Sequence, residues 1–195
     1  MSFSDILSLS LIAIFAENIV LGQMLGITPF LKNSQSMKSA VKAGVSVTLT
    51  MLVVAILAYV TEKSIIMPFR LDYMRTVIFV TIVAGGLCIC EAILRKKSSY
   101  FAEKTEISPS YIAVNTAVLG IMLITVNANL DFLSSVIYAF ASGIGFTVAI
   151  IIFASVRERL EYSDVPKAFE GVPIALITAG LIALAFSGFQ GIKFM

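Results

Sequence analysis

Phe132-Leu-Ser-Ser-Val-Ile-Tyr-Ala-Phe-Ala-Ser-Gly-Ile-Gly-Phe-Thr-Val-Ala-Ile-Ile-Ile-Phe-Ala-Ser-Val156 contains no Asp, Glu, Lys or Arg. About 20 mostly apolar residues in a helix cross the ~30 Å hydrocarbon core of a bilayer, and this run is longer. Ala43–Thr61, Ile107–Leu130 and Gly171–Ile192 are equally free of charge. Ser4–Leu31, with Glu17 inside it, is a fifth expected span. Thr76–Cys90 is a sixth, reaching Leu94 if Glu91 sits at the headgroup edge. Six spans take up most of the 195 residues, so the solvent of this chain is lipid and its function lies within or across a membrane.

Composition agrees. Hydrophobic residues make up 58% and charged residues 13% of the chain, against roughly 25% charged in a soluble domain. A net charge of +2 gives no sign of nucleic acid. The absence of His excludes imidazole metal sites and histidine acid–base catalysis. Met1–Ser10 has Asp5 but no basic residue, so it lacks the positive region of a signal peptide and reads as the start of a retained first span.

Cytoplasmic loops are enriched in Lys and Arg. Of the 14 basic residues, all but Lys63, Arg70, Arg75 and Lys193 fall in the loops between spans one and two, three and four, and five and six. Both termini are therefore expected on the non-cytoplasmic side.

The two halves look related. Val20–Leu25 and Val118–Leu123 share five of six letters, 98 residues apart, and Gly44-x-x-x-Thr48 recurs 99 residues on as Gly143-x-x-x-Thr147. A duplicated three-span unit has an odd number of crossings, so its second copy inserts upside down. The expectation is an all-α integral membrane fold: one membrane domain over residues 1–195, six transmembrane helices in a three-plus-three inverted repeat, with halves 1–97 and 98–195. Functional sites in such folds lie near the midplane, where helices are broken. Ser4–Leu31 would span about 42 Å as one helix, too long for an upright crossing. It contains Gly22, Gly26, Thr28 and Pro29, so a kink or stop is expected near Ile27–Pro29. In span four, Asn115-Thr116 and Gly120 mark the corresponding break.

Glu17 lies inside span one beside Asn18. A carboxylate at mid-bilayer costs about 2.5–3.5 kcal/mol, so it must face protein or water. Glu17, Asn18 and Asn115 are the candidates for an ion path, with a purely structural role as the alternative. Glu91, one turn from Arg95, reads as an interfacial ion pair. Arg157-Glu158-Arg159 reads as a cytoplasmic anchor, and Ala84-Gly85-Gly86, Ala141-Ser142-Gly143, Gly145 and Ala179-Gly180 as packing surfaces. Cys88 and Cys90 point about 200° apart on a helix, so they can neither share a metal nor bridge each other.

Leu25-Gly26-Ile27-Thr28-Pro29-Phe30, Val114-Asn115-Thr116-Ala117-Val118-Leu119-Gly120, Arg157-Glu158-Arg159-Leu160 with Ser163-Asp164-Val165-Pro166, and Ile174–Leu181 resemble the A-type membrane component of Rnf ion-translocating ferredoxin:NAD oxidoreductase complexes. That component is related to the E-type membrane component of the sodium-pumping NADH:quinone oxidoreductase. The resemblance covers essentially the whole chain. It implies half-helices in spans one and four, pseudo-symmetric pairing with a homologous E-type subunit, and partner subunits bearing flavin and iron–sulfur centres. It also implies the cytoplasmic membrane of a bacterium or archaeon and a role in redox-driven ion transport. The family places one cysteine in each half-helix, and with two from the partner subunit these hold an intramembrane iron–sulfur cluster. Thr28 and Thr116 stand at those positions here. A hydroxyl is a hard, neutral donor and does not replace thiolate on iron. The expectation is a membrane subunit that supplies no thiolate to such a cluster. The alternatives are a diverged scaffold or ion path in another complex, and a small stand-alone cation carrier.

Overall fold

A computed structural model describes residues 3–82, 84–85 and 116–191. Cys88, Cys90, Glu91, Asn115 and the first part of span four lie outside the described residues. Among the described residues every regular element is helical. Helix α1 (Phe3–Leu11) runs into a π-helical turn at Ile12–Ala16, and α2 (Ile27–Asn33) follows after a non-helical stretch. Helix α3 (Met37–Thr61) continues through a second π turn, Glu62–Ile66, to Phe69. Helix α4 covers 75–82, α5 is Thr116–Asn127, α6 is Phe132–Leu160 and α7 is Val172–Ser187.

Among the described residues, three helical stretches are long and apolar enough to cross a membrane: Met37–Phe69, Phe132–Leu160 and Val172–Gln190, with mean hydropathy 2.2, 2.3 and 2.1. Their boundaries follow from local chemistry. The Ser36 hydroxyl accepts the Ser39 N–H and caps α3. Asp131 starts α6, where the Ser134 hydroxyl donates to its carboxylate. Arg157 and Arg159 occupy the last turn of α6, where cations complement the negative end of the helix dipole. Pro173 sits in the first turn of α7, where its missing N–H has no partner to lose.

Helices α3 and α6 form the centre. Gly44 approaches Thr147, Thr48 approaches Gly143, and the Tyr59 ring meets Phe132 at 5.3 Å. One residue number rises as the other falls, so the two helices are antiparallel. Their closest approach is reciprocal. The Thr48 and Thr147 hydroxyls lie 3.3 Å apart, and each bonds back to the carbonyl of its own glycine, Gly44 at 2.8 Å and Gly143 at 2.9 Å. Small residues let the backbones meet here. Nothing among the described residues lies within 4 Å of a Cβ added to Gly85 or Gly180. At the far end of α3, buried Glu62 pairs with Arg75 at 2.8 Å and ties α3 to α4.

Candidate functional site

The break in the first span lies further toward the N-terminus than Pro29 led us to expect. Helix α1 ends with a π turn in which the Glu17 N–H donates to the Ile12 carbonyl at 2.8 Å. Such turns are frequent at functional sites. The chain stays out of regular helix until Ile27, and Pro29 falls in the first turn of α2. A proline there starts a helix instead of stopping one. Gly26 makes the turn into α2 at φ 77°, a left-handed conformation that favours glycine.

Asn18 holds the broken segment. Its side chain is fully buried, and its amide Nδ2 donates to the carbonyls of Ile14 and Gly145, each at 2.9 Å. Its Oδ1 accepts the Val20 and Leu21 N–H groups, each at 3.1 Å. Its own carbonyl accepts from Gly22 at 2.7 Å and Gln23 at 3.1 Å. Buried backbone freed from a helix must find other partners, and one asparagine supplies most of them. Asn18 is thus engaged through both polar atoms of its side chain, which fits a structural pin better than an ion ligand.

Helix α2 is fixed at both ends. At its start the Gly26 N–H donates to Thr116 Oγ1 at 2.8 Å, so the first turn of α5 meets the tip of α2. Val20, Leu25 and Ala117 belong to the same buried packing. At its end, Arg157 Nη1 donates to the Leu31 carbonyl at 2.8 Å and to Ser34 Oγ at 2.9 Å. The guanidinium lies 5.8 Å from the Phe153 ring, which stacks on Phe30 at 4.8 Å. Arg157 therefore does more than anchor a loop. It closes the C-terminal end of a short helix that could not stand alone.

Residues 6–193 match the family described as Rnf-Nqr subunit, membrane protein. The chain belongs to this family. It is similar to the A-type component of the Na(+)-translocating ferredoxin:NAD(+) oxidoreductase complex of Acetobacterium woodii, 42% identical over 93% of this chain and 94% of that protein. The A-type components of the ion-translocating oxidoreductase complexes of Syntrophotalea carbinolica and Shewanella oneidensis are similar too. The first is 39% identical over 92% of this chain and 93% of its own length, the second 37% identical over 97% and 98%. Family and apolar helices together make this Rnf-Nqr protein a multi-pass membrane protein.

Thr28 and Thr116 are both exposed on this chain, on segments joined by the Gly26–Thr116 hydrogen bond. Glu17 is exposed as well, and its Oε2 accepts the Tyr138 hydroxyl at 2.8 Å. Tyr138 escaped the sequence reading, and Gly145 was legible there only as a packing residue. Tyr138 and the Gly145 carbonyl both lie on α6, and their partners are 121 and 127 residues away. Gly145 left a faint signal in Gly143-x-Gly145, whereas nothing marks Tyr138 within an apolar run.

Proposed function

We propose that this chain acts as the A-type membrane subunit of a redox-driven ion-translocating electron-transport complex in a bacterial or archaeal cytoplasmic membrane. It crosses the membrane six times as a three-plus-three inverted repeat, with both termini on the non-cytoplasmic side. A homologous membrane subunit pairs with it, and other subunits bear the flavin and iron–sulfur centres. The observation that carries the reading is the pinned break between Glu17 and Gly26, joined to the start of α5 at Thr116. Irregular backbone at membrane depth lines cavities and ion paths.

The reciprocal crossing supports the inverted repeat. A shift of 99 residues carries Gly44 and Thr48 onto Gly143 and Thr147, and a two-fold relation then requires the two cross-contacts that exist. The same shift carries the Ser34–Arg157 pair to within one residue of the Tyr59–Phe132 pair.

The residues at the family's cluster positions do not fit an iron–sulfur centre. Thr28 and Thr116 present hydroxyls, and Thr116 Oγ1 already accepts the Gly26 N–H. Iron in such clusters is held by thiolate. The test is purification of the complex through a tag on this chain, followed by anomalous scattering at the iron edge. Flavin- and iron-bearing subunits are expected to co-purify, with no iron bonded to Thr28 or Thr116. A homogeneous colourless protein would favour the stand-alone carrier, and iron on either threonine would overturn the assignment of both positions.

Glu17 serves this function as a carboxylate on the ion path. Glu17→Gln is expected to slow ion transport by about tenfold or more, the scale of losing one charge-assisted contact. Transport by reconstituted vesicles checks it, with assembly monitored in parallel.

A further inference from the structure

We infer that Tyr138 is a positioning residue that holds the Glu17 carboxylate at the helix break in the geometry that receives a hard monovalent cation. The inference rests on the proposed ion-path role of Glu17 and adds the group that makes that role possible. The backbone of Glu17 is fixed on both sides: its N–H is bonded to the Ile12 carbonyl, and the next residue is Asn18, whose side chain makes four hydrogen bonds. Its side chain is exposed, and its one hydrogen bond among the described residues comes from the Tyr138 hydroxyl to Oε2. Tyr138 itself is 4% exposed, so its ring is locked within the packing of α6. One carboxylate oxygen is thereby tethered to a rigid helix, and the other has no hydrogen-bond partner among the described residues.

The kind of donor matters. No Lys or Arg occurs within Ile6–Leu31 or Phe132–Val156, and the Arg75–Glu62 salt bridge lies elsewhere in the fold. A lysine or arginine in place of Tyr138 would cancel the charge of Glu17 and compete with an incoming cation. A hydroxyl donates without carrying charge, so the carboxylate keeps its full attraction for a cation while losing its freedom to swing. Pre-positioning of this sort lowers the ordering cost of binding. The bland account is that Glu17 merely satisfies a buried phenol. The two accounts differ in what removing the hydroxyl does to cation dependence.

The experiment uses the intact complex in sealed vesicles, driven by its electron donor, with sodium chloride varied. Tyr138→Phe keeps the ring and deletes the hydroxyl. It is expected to raise the half-saturating sodium concentration about tenfold, with near-normal transport at saturating sodium. Glu17→Asp withdraws the carboxylate by one methylene and is expected to produce the same shift with Tyr138 intact, which decides the matter if the phenylalanine variant fails to accumulate. The double variant Tyr138→Phe with Glu17→Gln is expected to match Glu17→Gln alone. Wild-type sodium dependence in both Tyr138→Phe and Glu17→Asp, with Glu17→Gln impaired, overturns the positioning role and leaves Glu17 on the path. Normal transport by Glu17→Gln overturns both. Transport that is independent of sodium overturns the choice of cation and the inference with it.

Discussion

Gly143→Ala is expected to prevent accumulation of the folded chain, and Thr48→Ala is expected not to rescue it. A Cβ added at Gly143 would lie 2.7 Å from Thr48 Cγ2, 2.8 Å from its Oγ1 and 2.8 Å from its Cα. The last of these is backbone, which no change of side chain relieves, so α3 and α6 must move apart. That crossing buries Met51, Phe146 and Ile150 around it. Overpacking of a tight core costs about 1–3 kcal/mol even when side chains can adjust, and a backbone collision exceeds that. Gly44 offers the contrast. All three atoms nearest its added Cβ belong to the Thr147 side chain, at 2.6, 2.7 and 3.0 Å. Thr147→Ala removes the first two, so the pair Gly44→Ala with Thr147→Ala is expected to accumulate where Gly44→Ala alone does not. Detergent extracts analysed by size exclusion, with a melting temperature for each variant, measure both results. Equal rescue at the two sites would show that the helices are free to separate and that the crossing is not tight.

How far the sequence revealed this architecture can be judged element by element. Spans around Ala43–Thr61, Phe132–Val156 and Gly171–Ile192 were legible because a charge-free run of membrane length has little else to be, and Met37–Phe69, Phe132–Leu160 and Val172–Gln190 cover all but the ends of the last. The Gly-x-x-x-Thr pair was legible too, since its two copies turned out to touch. The match of Val20–Leu25 to Val118–Leu123 joins stretches of different local conformation. The first stretch lies in the non-helical break and the second inside α5, so shared letters there did not foretell a shared conformation. Pro29 announced a break but not its place, because proline stops a helix from within and starts one from the first turn. Which of those applies depends on Asn18, and Asn18 depends on Gly145, 127 residues away. Local chemistry cannot encode a partner at that distance. The same limit hid Tyr138 and turned Arg157 from an expected loop anchor into the clasp on α2.

Asn18→Ala is expected to unfasten the break and, with it, the site. The substitution leaves the Val20 and Leu21 N–H groups and the Gly145 carbonyl without the partners they now have. An unsatisfied buried polar group costs roughly 1–3 kcal/mol. The expected loss is therefore about 3 kcal/mol or more, read as a fall in melting temperature and as lost transport. Asn18→Asp sharpens the point. It preserves an acceptor for the two N–H groups but sets a second oxygen against the carbonyls of Ile14 and Gly145, each now 2.9 Å from the amide nitrogen. Two acceptors facing two acceptors repel, so the nearly isosteric aspartate is expected to do at least as much harm as alanine. A neighbour of opposite behaviour completes the comparison: Gln23, exposed in the same stretch, is expected to tolerate alanine without measurable change in melting temperature. Aspartate at position 18 with wild-type stability would mean that the carbonyls are not where the amide needs them, and that something other than Asn18 holds the broken helix open.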